Sequence, residues 1–87
     1  MVDYEKFVGD LVKPLVLKPE ELVVKQFGSD ENISVQVLVD ADDLGRVIGK
    51  KGRIANAIRT IAYACAAKEG ISLEITIESI QWKHSII

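Results

Sequence analysis

Residues 45–54 read GRVIGKKGRI. Two glycines, Gly49 and Gly52, bracket two adjacent lysines, Lys50 and Lys51, inside an apolar run. Glycine lets the backbone take angles that a β-carbon disfavours, and it leaves the main chain open to close approach by a ligand. What the stretch means depends on what stands on each side of it.

Downstream, Ile54, Ala57, Ile58, Ile61, Ala62 and Cys65 recur at spacings of three and four. That predicts a helix whose core stripe holds these residues. The helix is expected to end near Lys68, with Gly70 in the closing turn. Upstream, Leu44, Val47 and Ile48 fit a short helix capped by Asp40 or Asp42. The glycine-lysine-lysine-glycine turn therefore joins two helices and opens the second. Free N–H groups and the positive helix end point at the place where Lys50 and Lys51 add charge. Arg46, Arg53 and Arg59 keep positive potential local. Val47, Ile48 and Ile54 supply apolar wall and core alike. A phosphate cradle beside an apolar wall describes a groove for a single nucleic-acid strand, with its backbone held and its bases inward.

Further out, Tyr4, Phe7, Val8, Leu11, Val12 and Leu15 make one face of an N-terminal helix, with Asp3 as its cap and Pro14 as its end. Residues 22–27 and 33–39 read as strands, joined through GSDEN as a hairpin. ISLEITIE, residues 71–78, alternates apolar and polar residues as a third strand. The order is α-β-β-α-α-β. The strands that flank the helix pair need a crossover, so they are expected parallel and adjacent, with a right-handed connection. The hairpin adds the first strand antiparallel. The expected fold is α+β in two layers: a three-stranded mixed sheet with three helices on one face. Residues 1–78 form the expected domain and 79–87 a C-terminal tail holding Trp82 and His84.

Length and composition narrow the function. The chain of 87 residues is one domain. With 48% hydrophobic and 28% charged residues it is globular rather than disordered. No apolar run reaches membrane-span length and the N-terminus carries acids, so a cytoplasmic location with no membrane association is expected. Cys65 is the single cysteine and His84 the single histidine, so neither a disulfide nor a metal site is expected. No cofactor or catalytic constellation is expected either. Asp40, Asp42 and Asp43 read as helix caps rather than a tuned pair. A net charge of −2 argues against a generic basic nucleic-acid coat protein, so any polyanion contact has to rest on a local patch.

VIGKKGRIANAI, residues 47–58, resembles the V-I-G-x-x-G core of KH domains, and α-β-β-α-α-β is the type II topology of that fold. With LVKPLV near the start and GRVIGKKGRIANAIRTI in the middle, the chain resembles the small bacterial single-KH proteins of the KhpA type over residues 3–78. It departs at Asn56, Tyr63 and Ala64, where family members often carry lysine, and the tail has no evident counterpart. The resemblance implies single-stranded RNA binding through Gly49, Lys50, Lys51 and Gly52. It also implies self-association, or pairing with a larger KhpB (Jag)-type KH protein, and roles in RNA regulation and cell elongation.

One further stripe bears on assembly. Asn56, Thr60, Tyr63, Ala64 and Ala67 form a second face on the long helix, and no charge stands between Thr60 and Ala67. A helix that is small or apolar on two sides is usually covered on both, and a self-complementary face suits a two-fold dimer. Three functions stay open: an RNA-binding module acting as a dimer, a protein-interaction module with the same fold, and a nucleotide-phosphate enzyme. The last lacks the G-x-x-x-x-G-K-[ST] order, because Arg53 follows Gly52.

Overall fold

The computed structural model describes residues 3–80. Helix α1 (Tyr4–Val12) starts where the Asp3 carboxylate accepts from the Lys6 amide at 3.1 Å. That bond satisfies one of the donors a helix start leaves over, and Glu5 adds a favourable charge in the first turn. Tyr4, Val8 and Val12 are fully buried along its inner face. At Pro14 the helix tightens into a single 3₁₀ turn, Lys13–Leu15.

Strands β1 (Val23–Gly28) and β2 (Asn32–Val39) pair antiparallel, from Val23 opposite Leu38 to Gly28 opposite Ile33. Strand β3 (Ser72–Ser79) pairs parallel with β2, from Asn32 opposite Ser72 to Val39 opposite Ser79. The sheet order is β1-β2-β3. The period of two divides the faces: Val35, Val37, Val39 and Ile75 are buried under the helices, while Ser34, Glu74, Thr76 and Glu78 are exposed on the other side. The expected α+β architecture, with helices on one face of a mixed sheet, is the one observed. The outer edge of β1 is closed by a reciprocal pair at 3.1 Å each: the Gln26 N–H donates to the Glu5 carboxylate, and the Glu5 N–H donates to the Gln26 side-chain carbonyl. Covering an edge strand in this way removes a template for unwanted strand pairing.

Between β2 and β3 lie a 3₁₀ turn at Ala41–Asp43, helix α2 (Leu44–Ile48), a second 3₁₀ turn at Lys50–Gly52, and helix α3 (Arg53–Lys68). The buried residues of α3 are Ala55, Ile58, Ala62 and Ala66. This corrects the expected stripe. Ile58 and Ala62 belong to it, but Ala57 is exposed, Ile61 is 48% exposed, and Cys65 is half-buried. The cause is a rotation of the helix. Alanines at 55, 62 and 66 permit a close approach to the sheet, and Arg59 and Tyr63 are tied to the backbone of Ile75, turning their flank inward.

Tyr4 links the two ends of this layer. Its buried hydroxyl donates to Glu69 at 2.7 Å, just past the end of α3. Burial, and next the hydrogen bond to that carboxylate, push the phenol up to about 12.

Candidate nucleic-acid interface

The turn between α2 and α3 is held by backbone bonds. The Gly49 N–H donates to the Gly45 carbonyl at 2.8 Å, and the Gly52 N–H donates to the Gly49 carbonyl at 3.1 Å. Gly49 has φ +79° and Gly52 φ +75°. Gly49 is doubly required, because a β-carbon there would lie 2.7 Å from Cγ1 of Ile54 and 2.9 Å from the Ile54 nitrogen. Gly52 is required by its backbone angle alone, with open space around it. Between them Lys51 sits at φ +57°, the one non-glycine residue with positive φ among the described residues. That conformation costs an L-residue roughly 1–2 kcal/mol, and strain of this kind concentrates at functional turns.

Lys50, Lys51, Arg46 and Arg53 are all exposed around the turn. Helix α3 starts with no side-chain cap and no acid in its first turn, unlike α1. The positive end of a 16-residue helix is thus left for an outside anion. Charge is divided along the chain in the same sense. Of eleven Lys and Arg residues, six lie between Leu44 and Lys68, where none of the thirteen acids falls. The remainder of the chain is correspondingly acidic, which is how a protein of net charge −2 carries a basic segment.

The apolar candidates separate. Ile48 and Ile54 are half-buried beside the turn. Val47 is fully buried in the core, so its side chain lines no surface beside the turn. The reason is its central place on the inner face of the short α2, against the sheet. Arg59 also departs from an exposed patch: it is half-buried, and its Nε donates to the Ile75 carbonyl at 3.2 Å. Of the second stripe on α3, Asn56, Thr60, Ala64 and Ala67 are exposed on the outer face. Tyr63 stands at its border, half-buried, with its hydroxyl accepting from the Ile75 N–H at 3.3 Å. Ala57 and Ile61 join the outer face instead, so from Asn56 to Ala67 that face carries no charge.

Two features escape a reading of the sequence. A cavity of about 400 Å³ opens beside α2, lined by Leu44, Ile77, Glu78 and Ser79. Ile77 belongs to it only because the parallel crossover brings the end of β3 next to α2. Asp43 is buried, at 1% exposure. Its two oxygens accept from the Leu17 and Lys18 amides at 3.0 and 2.9 Å, and Arg46 Nε stands 3.9 Å away. An acid in a D-A-D-D run reads as a cap, and Asp40 is the one that caps, accepting from the Asp42 amide at 3.0 Å. Asp43 instead pins the chain leaving α1 to the start of α2. Outside it, Lys18 bridges Asp40 and Asp42 at 3.4 and 3.2 Å, and the pair holds its ammonium above the usual lysine range.

No group of His, Cys, Asp and Glu among the described residues could hold a metal ion, and no helix there is long and apolar enough to cross a membrane. Trp82 and His84 lie outside the described residues.

A mixed three-stranded sheet, helices on one face, and a glycine-bracketed basic turn between two of them together define a KH domain. The family description "KhpA/KhpB, KH domain" matches residues 5–77, and the chain belongs to this family. It is 41% identical over 73 residues to the RNA-binding protein KhpA of Listeria monocytogenes, covering 84% of this chain and 96% of that one. It is 35% identical over 85 residues to the RNA-binding protein KhpA of Lactiplantibacillus plantarum, covering 98% of this chain and 100% of that one. The second match therefore reaches into the C-terminal stretch. The fold is similar to part of Era in its crystal structure with MgGDPNP and nucleotides 1506–1542 of 16S ribosomal RNA. There the TM-score is 0.64 at 18% identity, over 94% of this chain and 32% of Era.

Proposed function

We propose that this protein binds single-stranded RNA by clamping its phosphate backbone at Gly49–Gly52, with Arg46 and Arg53 flanking and Ile48 and Ile54 as groove wall. The observation that carries the reading is the division of charge: six cations and no acid between Leu44 and Lys68, four of the cations exposed around an uncapped helix start. The name printed for the similar KhpA proteins supports the same ligand. The turn offers backbone and positive charge, which suits phosphates. The chemistry is binding without catalysis, and no cofactor takes part. Residues 1–78 act as the KH unit, with 79–87 appended, and the setting is the cytoplasm.

The working form is a dimer. The uncharged outer face of α3, with Asn56, Ala57, Thr60, Ile61, Ala64 and Ala67, favours covering by a like face, in a homodimer or with a KhpB (Jag)-type partner. Two clamps in one assembly raise affinity for a strand that reaches both. RNA regulation and a part in cell elongation are the roles this reading assigns. If pairing through α3 is the main task, RNA binding is weak and the same face still carries the function.

Filter binding decides between the two. Lys50→Asp with Lys51→Asp lowers RNA affinity at least about tenfold while circular dichroism stays unchanged. Each phosphate contact contributes a slope of about −0.7 to the logarithmic salt dependence for a single strand. A double variant that binds like the parent, or a flat salt response, ends the clamp reading.

A further inference from the structure

The two helices that carry the basic turn stand along the outer edge of β3. Ser72 and Ile80 donate their N–H groups to Glu31 and Val39 at 2.8 Å each, so the even-numbered residues of β3 direct their backbone groups toward β2. By the alternation of a parallel ladder, Leu73, Ile75, Ile77 and Ser79 direct theirs outward. At Ile75 both groups are taken. Its N–H donates to the Tyr63 hydroxyl at 3.3 Å, and its carbonyl accepts from Arg59 Nε at 3.2 Å. Ile77, two residues and about 6.6 Å along the strand, lines the cavity with Leu44. The β3 wall of that cavity runs from Ile77 to Ser79 and stops short of Ile75.

We infer that Arg59 and Tyr63 determine how much of an RNA strand the groove reads, by closing the strand edge at Ile75. The inference rests on the RNA reading above. A base can pair with a strand edge where one residue presents both N–H and carbonyl. By the same alternation Ile77, which lines the cavity, directs both groups outward. The next such residue, Ile75, already has both groups bonded, one of them to a guanidinium, and charged donors make the stronger bonds. A strand running along this edge past Ile77 therefore meets a wall made of a tyrosine ring and an arginine. Arg59 and Tyr63 act here as positioning residues: they set where reading stops through what they do to Ile75.

The test uses the full chain and fluorescein-labelled single-stranded RNA of mixed sequence, about three to eight nucleotides long, read by anisotropy, with amide shifts followed by NMR. In the parent, RNA shifts the Ile77 amide and leaves the Ile75 amide in place, and affinity levels off at a short length. The double variant Arg59→Lys with Tyr63→Phe keeps the charge and the ring but frees Ile75. Its Ile75 amide then shifts with RNA, and affinity rises at least threefold on adding one nucleotide beyond the parent's levelling length. Tyr63→Phe alone gives a smaller change in the same direction and, with the parent's shifts, serves if the double variant does not fold. Ile75 moving together with Ile77 in the parent, or a variant that levels off where the parent does, overturns the inference. If Lys50→Asp with Lys51→Asp abolishes binding in the same assay, the clamp stands and the groove length alone has failed; if it does not, the clamp itself has failed.

Discussion

Gly49 and Ile54 are packed so that no side chain fits between them: a β-carbon on Gly49 would stand 2.7 Å from Cγ1 of Ile54 and 2.9 Å from its backbone nitrogen. One of these contacts is backbone, which cannot swing away, and φ at Gly49 is +79°. Gly49→Ala therefore adds a steric shift to the roughly 1–3 kcal/mol of a backbone conformation that side chains rarely adopt and is expected to cost about 3 kcal/mol or more. Gly52→Ala meets only open space and is expected to cost about 1 kcal/mol. Urea unfolding of the two variants checks the ranking. Equal costs would mean the two glycines serve the turn in the same way.

Lys51 supports a prediction of opposite sign. It holds φ +57° with a β-carbon, where glycine would rest without strain. Lys51→Gly removes roughly 1–2 kcal/mol of strain and returns about 0.4–1 kcal/mol in unfolded-chain entropy. The net gain is about 0.5–1 kcal/mol, or a melting temperature about 2–8 °C higher for a domain of this size. RNA affinity is expected to fall in the same variant, because a phosphate contact is gone. Lys51→Ala loses the same charge but keeps the strain, so it should weaken binding without gaining stability. A destabilised Lys51→Gly would show that the lysine is held there by contacts worth more than its strain.

The outer face of α3 can be tested without touching the turn. Ile61 is 48% exposed and Ala64 lies beside it on the same face. Ile61→Glu and Ala64→Arg each put a charge where two like faces would meet, and both are expected to give monomers by light scattering. Surface substitutions of this kind change monomer stability by less than about 0.5 kcal/mol, so unfolding in dilute solution stays near the parent's. A parent that is already monomeric at micromolar concentration removes the seam.

The fold was legible where periodicity and punctuation agreed. The alternation of Ile33 to Val39 and Ile71 to Ile77 named the buried sheet face, and Asp3 and Pro14 marked the two ends of α1. The turn was legible because glycine spacing is a local signal. What failed to appear needs the third dimension. The buried face of α3 is set by Arg59 and Tyr63 reaching Ile75, partners more than ten residues away in sequence. Asp43 looks like its neighbours Asp40 and Asp42, and only the return of Leu17 and Lys18 buries it. Val47 sits next to the turn in sequence yet points to the core, since a five-residue helix still has an inner face.

Tyr4 makes a prediction in pH. Its phenol is pushed from an ordinary value of 10 to about 12, first by burial and then by the bond to Glu69. The folded state thus holds the proton more tightly than the unfolded chain, so the contribution to stability is complete below pH 10. It declines as pH rises from 10 and is gone above about 12, because the unfolded chain ionises first. Tyr4→Phe keeps the buried ring and loses the hydrogen bond, costing about 1 kcal/mol near neutrality. Between pH 10 and 12 the parent is expected to lose melting temperature faster than Tyr4→Phe, so that their difference narrows and then reverses. Other groups, Lys18 among them, titrate in this range in both proteins and cancel in the comparison. Parallel melting curves across the window would mean that the Tyr4 hydroxyl keeps its proton no better in the folded protein than in the unfolded chain.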